Sequence, residues 1–248
     1  QIIFSRNVLA HVKNIGDFVF SMRRCLSDSG VVAAEVHYAG NILSGLQYDS
    51  IYHEHLFYFT LKSLENLFNK NKLFVFDVER SPISGGAIII YASKQNREKS
   101  LRLKKWRNYE IKNKINNFLT WKSFAKKSIT HKKEMISSIN KIINKEKNIV
   151  GWGASARSST LLNFCKIDSK IIPVIADQNN LKHNHFTAGS RILISSPELV
   201  MKKNPKFVII LAWNFTKEIM GILRNKFGYS GGYIIPLPNK LKIQHHIK

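Results

Sequence analysis

The spacing of hydrophobic positions alternates between two periods along the chain. Val31, Val32, Ala33, Ala34 and Val36 form a short apolar run behind Gly30 and predict a buried strand over residues 30–38. Before it, residues 1–7 read as a strand ending at Arg6-Asn7. Ile15, Phe18, Val19, Met22 and Leu26 then recur at helical spacing. Ser27-Asp28-Ser29-Gly30 is the intervening turn. After a polar loop and a short helix, Thr60 is placed to cap a helix whose Leu61, Leu64, Leu67 and Phe68 share one face. Residues 73–79 and 87–93 follow as two strands joined by residues 81–86. In residues 94–147 lysine and asparagine dominate. Leu101, Leu103, Trp106, Ile111, Ile115, Phe118, Leu119, Trp121 and Phe124 still fall at helical spacings, which predicts one or two amphipathic helices bridging two domains.

A second α/β pattern starts at Asn148. Ile149-Val150 leads into Gly151-Trp152-Gly153-Ala154-Ser155-Ala156 and a helical stretch over residues 158–164. A strand over 171–176 ends at Asp177, and further strands are expected over 192–194, 207–211 and 233–235. Ser196-Pro197-Glu198 starts one helix, and residues 215–227 form another. Strands alternating with helices imply a mainly parallel sheet. The expected domains are therefore residues 1–95, a helical bridge over 96–147, and residues 148–248.

The densest chemistry lies at Tyr52-His53-Glu54-His55, on a connection between a buried strand and a helix, where α/β proteins place their sites. A histidine can take a proton from a carbon beside a ketone. A neighbouring carboxylate can hold the imidazolium, and a tyrosine hydroxyl can donate to an oxyanion. A loop of solvated histidines is the plain alternative. The histidines are not spaced as in His-Glu-x-x-His, and zinc on His53, His55, His37 and His11 lacks a ligand spacing. No metal is expected.

The G-x-G-x-x-A turn carries a second chemistry. Two glycines permit a tight turn, a helix N-terminus faces a diphosphate, and an acid about 20 residues on can hold a ribose hydroxyl; Asp177 stands there. Alone, this pattern suggests NAD and an oxidoreductase or epimerase. A tight turn without any ligand uses the same glycines.

Charge changes the picture less than its size suggests. The formal net charge is +23, from 39 Lys and Arg against 16 Asp and Glu. Such an excess is compatible with nucleic acid or another polyanion. The lysines, however, travel with abundant isoleucine and asparagine, are diffuse, and carry no recognition motif. The reading is against nucleic acid and for a field that attracts a small phosphorylated substrate. No apolar run approaches the ~20 residues of a membrane span. Cys25 and Cys165 stand far apart in apolar contexts, as reduced thiols in a cytoplasmic protein would.

The run from Asp49 to Phe59, with Tyr52-His53-Glu54-His55 at its centre, resembles the signature of the sugar C-methyltransferases. These enzymes use S-adenosylmethionine (SAM) to methylate a carbon of nucleotide-linked keto-deoxysugars. Arg6-Asn7-Val8-Leu9-Ala10-His11-Val12, Ser84-Gly85-Gly86 with its following strand, and Gly151 to Arg157 with Asn163-Phe164-Cys165 are similar in order. The resemblance implies the fold: the C-terminal half of a class I (Rossmann-like) methyltransferase domain, then a second Rossmann-like α/β domain. The chain then reads as a fragment lacking the first strands, which hold most of the SAM site. The resemblance also implies roles. His55 would be the base that generates an enolate, Glu54 and Tyr52 would orient the substrate or stabilise the enolate, and His11 would lie close to the reacting sugar. His53 would be structural. Gly153, Ser155, Arg157 and, more weakly, Lys182 would meet the diphosphate of the nucleotide sugar. Ala188 and Arg191 depart from the family's usual proline and histidine.

Overall fold

The computed structural model describes residues 1–146 and 148–245. The expected end of the bridge at Lys147 and the last three residues lie outside that description. The chain divides into two compact units, Gln1–Ser44 with His53–Phe124, and Gly45–Tyr52 with Ala125–Lys248.

The first unit is built on a four-stranded sheet in the order β1-β2-β4-β3. β1 (Ile2–Arg6) runs parallel to β2 (Val31–His37), and β4 (Ala87–Ser93) runs antiparallel to both β2 and β3 (Phe74–Ser81). β2 lies between two neighbours, which is why it reads as a nearly continuous apolar run. α1 (Ile15–Cys25) buries Val19 and Met22 against the sheet. α3 (Leu61–Lys70) buries Leu61, Leu64 and Phe68; α2 is the short helix Ala39–Ser44. Mixed α/β with a parallel strand pair is consistent with a Rossmann-like methyltransferase fold.

The start of α3 is fixed from two sides. Thr60 and Ser63 form a reciprocal capping box. α4 (Leu101–Lys112), itself capped by Ser100, adds Glu110, which is 3% exposed. The Glu110 carboxylate accepts from the Leu61 amide at 2.6 Å, the Lys62 amide at 3.2 Å, the Asn116 amide group at 3.0 Å and the Tyr38 hydroxyl at 2.8 Å. An anion at a helix N-terminus satisfies orphan amides and complements the dipole. Burial first, then the Glu110 charge, pushes the Tyr38 phenol far above its ordinary value.

The second unit holds a six-stranded sheet in the order β10-β9-β8-β5-β6-β7. β5 (Ile149–Trp152), β6 (Val174–Ala176), β7 (Leu193–Ser195), β8 (Phe207–Ile210) and β9 (Gly232–Ile235) are parallel. β10 (Lys242–Gln244) closes the edge antiparallel to β9. The sequence reading ended the strands at 233–235. β10 escapes it because three residues with exposed ends carry little apolar pattern. α6 (Ala156–Cys165) follows β5, α7 (Pro197–Met201) precedes β8, and α8 (Thr216–Phe227) joins β8 to β9. The order reverses direction between β5 and β8, a doubly wound arrangement.

The segment expected as a separate bridge is α4 followed by the long α5 (Phe118–Glu146). α4 belongs to the first unit, and α5 passes to the second from Ala125 onward. Leu103 and Ile115 enter the first core, and Met135, Ile139 and Ile142 are buried in the second unit. The periodic apolar positions thus serve two cores instead of a free-standing spacer.

Candidate functional site

The histidines converge in the first unit through two adjacent parallel strands. β1 ends at Arg6, and Asn7 takes a left-handed φ of 53° with its amide on the Glu35 carbonyl at 3.0 Å. The chain then turns, with the His11 amide donating to the Val8 carbonyl at 2.9 Å. This places His11 beyond the carboxyl end of β1. His37 is the last residue of β2 and is buried. Carboxyl ends of parallel strands are where open α/β sheets bind ligands.

The loop after Tyr52 lies against that edge. The Leu56 amide donates to the Ala10 carbonyl at 2.8 Å, and His11 donates from Nδ1 to the Glu54 carbonyl at 2.9 Å. A carbonyl only accepts, so the Nδ1 proton is fixed, and the neutral ring keeps its lone pair on Nε2. The His55 ring meets His11 edge to face at 4.8 Å between centroids. His37 lies 6.5 Å and Tyr58 6.1 Å from His55, both edge-on. His11 and His55, which the family resemblance placed at one site, are brought together. Glu54 lies on the same loop with its side chain exposed, as is that of His53. Tyr52 is counted with the second unit and ends the segment Gly45–Tyr52.

His37 is the residue whose place the sequence did not reveal. Read along the chain it is one histidine ending an apolar run. Its signal was positional, at the carboxyl end of a strand next to the one delivering His11. Among the described residues no group of three or more His, Cys, Asp or Glu is arranged to hold a metal.

In the second unit the G-x-G-x-x-A turn is closed upon itself. Gly153 has a φ of 95°, and a Cβ there would lie 2.6 Å from the Ala212 Cβ. Its amide donates to the Ala176 carbonyl at 2.8 Å, and the Ala154 amide donates to Asp177 at 2.7 Å. Ser155 and Ser158 cap α6 reciprocally, with the Ser155 amide on the Ser158 hydroxyl at 2.6 Å. Asp177 also accepts from the Asn179 amide at 2.9 Å and Lys182 at 3.5 Å, and Lys182 donates to the Ala154 carbonyl at 2.6 Å. Arg157 donates to Asp49 from Nε and a terminal nitrogen, both at 3.0 Å. Each of the four groups expected at a diphosphate thus has a partner inside the unit. A crevice of about 260 Å³ beside the turn is lined by Trp152, Asp177, Phe215 and Glu218 among others. Its two carboxylates oppose an anionic ligand.

Deeper in the second unit, His131 is 2% exposed on α5. Its Nε2 donates to the Pro236 carbonyl at 2.7 Å, so its Nδ1 accepts from the Tyr48 hydroxyl at 3.0 Å. Burial pulls His131 below the ordinary imidazole value and pushes Tyr48 and the buried Cys165 thiol up. Among the described residues no helix is long and apolar enough to cross a membrane.

Comparison with known proteins adds to this geometry. Residues 82–238 match the family described as C-methyltransferase C-terminal domain, well over half of the 248 residues. Over 240 residues, 96% of the chain, the sequence is 28% identical to C-methyltransferase NovU of Streptomyces niveus. The match covers 57% of that relative, so the chain spans a little over half its length.

Proposed function

We propose that this chain, which belongs to the C-methyltransferase C-terminal domain family, carries the proton-abstracting side of a methyl-transfer site that acts on a nucleotide-linked keto-deoxysugar. The observation that carries this reading is the His11–His55 pair, pinned by the Leu56 and Glu54 backbone at the carboxyl edge of β1 and β2. Methylation at carbon needs a carbon nucleophile. His55 takes the proton from the carbon beside the ketone, and the electron pair delocalises onto the ketone oxygen as an enolate. That oxygen needs a donor or a cation nearby. Glu54 and Tyr52 are assigned to orient the substrate or to steady that charge. His11 keeps His55 in place from one side and His37 from another.

Family membership implies S-adenosylmethionine as methyl donor, which would supply an electrophilic methyl group. Among the described residues of the first unit, β1 and β2 offer no cradle for it. β1 runs into Val8-Leu9 without a glycine turn, and the one acid of β2, Glu35, is buried against Arg6 at 2.9 Å and Ser81. The methyl-transfer step is therefore not assigned to residues of this chain. In this reading Gly153, Ser155, Arg157 and Lys182 serve the frame of the second unit through their partners there.

The test follows the proton. In D₂O and without methyl donor, the full-length protein should exchange the hydrogen beside the ketone of a thymidine diphosphate keto-deoxysugar, read by mass spectrometry. The His55→Asn variant should not. Exchange at the wild-type rate in that variant removes His55 as the base.

A further inference from the structure

We propose that the groove between β3 and α4 of the first unit is a second ligand site, which takes a nucleoside phosphate. It does not depend on the reading of His55. The groove has a volume of about 450 Å³ and is lined by Val78, Arg80, Lys105, Trp106 and Tyr109 among others. A space of that size suits a small molecule. Its floor is aromatic. Trp106 and Tyr109 meet edge-on with ring centroids 6.4 Å apart, and Tyr38 braces Trp106 from the core at 5.5 Å. Tyr38 is itself held by its hydrogen bond to Glu110 at 2.8 Å. Rings fixed in advance lose little freedom when a ligand arrives. Tyr109 is 36% exposed, which leaves a ring open to stacking.

The rim is cationic. Arg102 also lines the groove, but it is paired with Asp77 and Glu79. The Arg80 guanidinium lies over the Trp106 ring, 5.2 Å from its centroid. Arg80 and Lys105 are both exposed, and among the described residues neither is paired with an acid. A stacked guanidinium keeps its fork of donors for a phosphate, and the lysine adds a point charge. These groups describe a ligand with a flat ring and more than one negative charge. A free phosphate would leave the rings uncovered, and a neutral apolar molecule would leave the cations unmatched.

The groove is distinct from the histidine edge. Tyr38 continues β2 past His37, with its amide on the Gly86 carbonyl at 3.3 Å and a bridge to Phe59. Successive side chains of an extended chain point to opposite faces of the sheet. Trp106 packs on Tyr38, whereas His55 meets His37. A ligand held by Arg80 and Lys105 is therefore not the one whose proton His55 takes.

Nuclear magnetic resonance of the nitrogen-15-labelled full-length protein tests this, because Trp106 is one of only four tryptophans in the chain. Trp106→Phe identifies its indole signal. Thymidine diphosphate or adenosine diphosphate, at millimolar concentration, should shift that signal saturably. Thymidine and inorganic pyrophosphate should each bind at least ten-fold more weakly. Arg80→Gln with Lys105→Gln should weaken the nucleotide at least ten-fold; if that double variant loses its fold, Lys105→Glu alone should do the same. No shift with either nucleotide overturns the proposal, as does a shift of Trp152 or Trp213 without Trp106. Pyrophosphate binding as tightly as the nucleotide would reduce the groove to a basic patch, and thymidine doing so would reduce it to an apolar one; each overturns the assignment. Unchanged affinity in the folded variant overturns it too.

Discussion

His11 and His55 meet edge to face, with ring centroids 4.8 Å apart and planes inclined by 72°. The two residues come from stretches separated by two helices and a strand, and the contact is flanked by the Leu56 amide on the Ala10 carbonyl and His11 Nδ1 on the Glu54 carbonyl. Removing the His55 imidazole should therefore abolish proton abstraction, by about 10²–10⁴-fold as for other general bases. His11→Ala should act more mildly, through the loop, because it removes the hydrogen bond to the Glu54 carbonyl. Deuterium incorporation into the keto sugar measures both. Equal loss in the two variants would make His11 a direct participant.

Glu110 joins α4 to the start of α3 and to Tyr38. Glu110→Ala leaves buried donors without an acceptor and should destabilise the chain by about 2–4 kcal/mol. Glu110→Gln should cost less, since its amide oxygen still accepts from part of the donors. Urea unfolding of the two variants checks the order; a loss under about 0.5 kcal/mol in Glu110→Ala would mean that the site resolvates freely.

His131 predicts the response to acid. Burial lowers its folded value below the unfolded value of about 6.5. The folded state therefore binds fewer protons than the unfolded one in that range, and stability rises with pH there. The contribution is fully present above about pH 6.5 and is lost as the pH falls from there through the folded value. The midpoint of thermal unfolding should fall with acidification below that point, and fall less steeply in His131→Phe. Parallel curves would place the acid sensitivity elsewhere.

Gly153 is required by packing. Gly153→Ala combines a φ of 95° with a Cβ 2.6 Å from that of Ala212 and should cost about 1–3 kcal/mol or more. Adding Ala212→Gly should recover the steric part and leave the conformational part. A double variant no more stable than Gly153→Ala would show that the contact with Ala212 is relieved without cost.

NAD should leave the melting temperature unchanged at millimolar concentration. To take a ribose, Asp177 would have to release the Ala154 and Asn179 amides or share Lys182. A rise with NAD, together with a shift in Trp152 fluorescence, would turn the second unit into a dinucleotide domain.

By itself the sequence determined most of the local structure and pointed to the family. Apolar runs and helical spacings gave most strands and helices of both units, since burial on one face writes its period into the chain. The order of motifs pointed to the C-methyltransferases, and the Tyr52-His53-Glu54-His55 run to the loop proposed here as the site. The pattern could not say which core each apolar face of residues 101–146 enters, because periodicity records that a face is buried and not against what. The partners of charged groups were equally hidden. Arg157 sits at a helix start, as a diphosphate ligand would, but tertiary structure gives it Asp49, 108 positions away. Asp177 stands where a ribose-binding acid would, yet it closes its own turn. His37 and His55 become neighbours only when β2 and the loop share one edge. Sequence spacing fixes what is adjacent on a helix or strand, whereas the pairing of buried charges and imidazoles depends on chain crossings that only the packed structure decides.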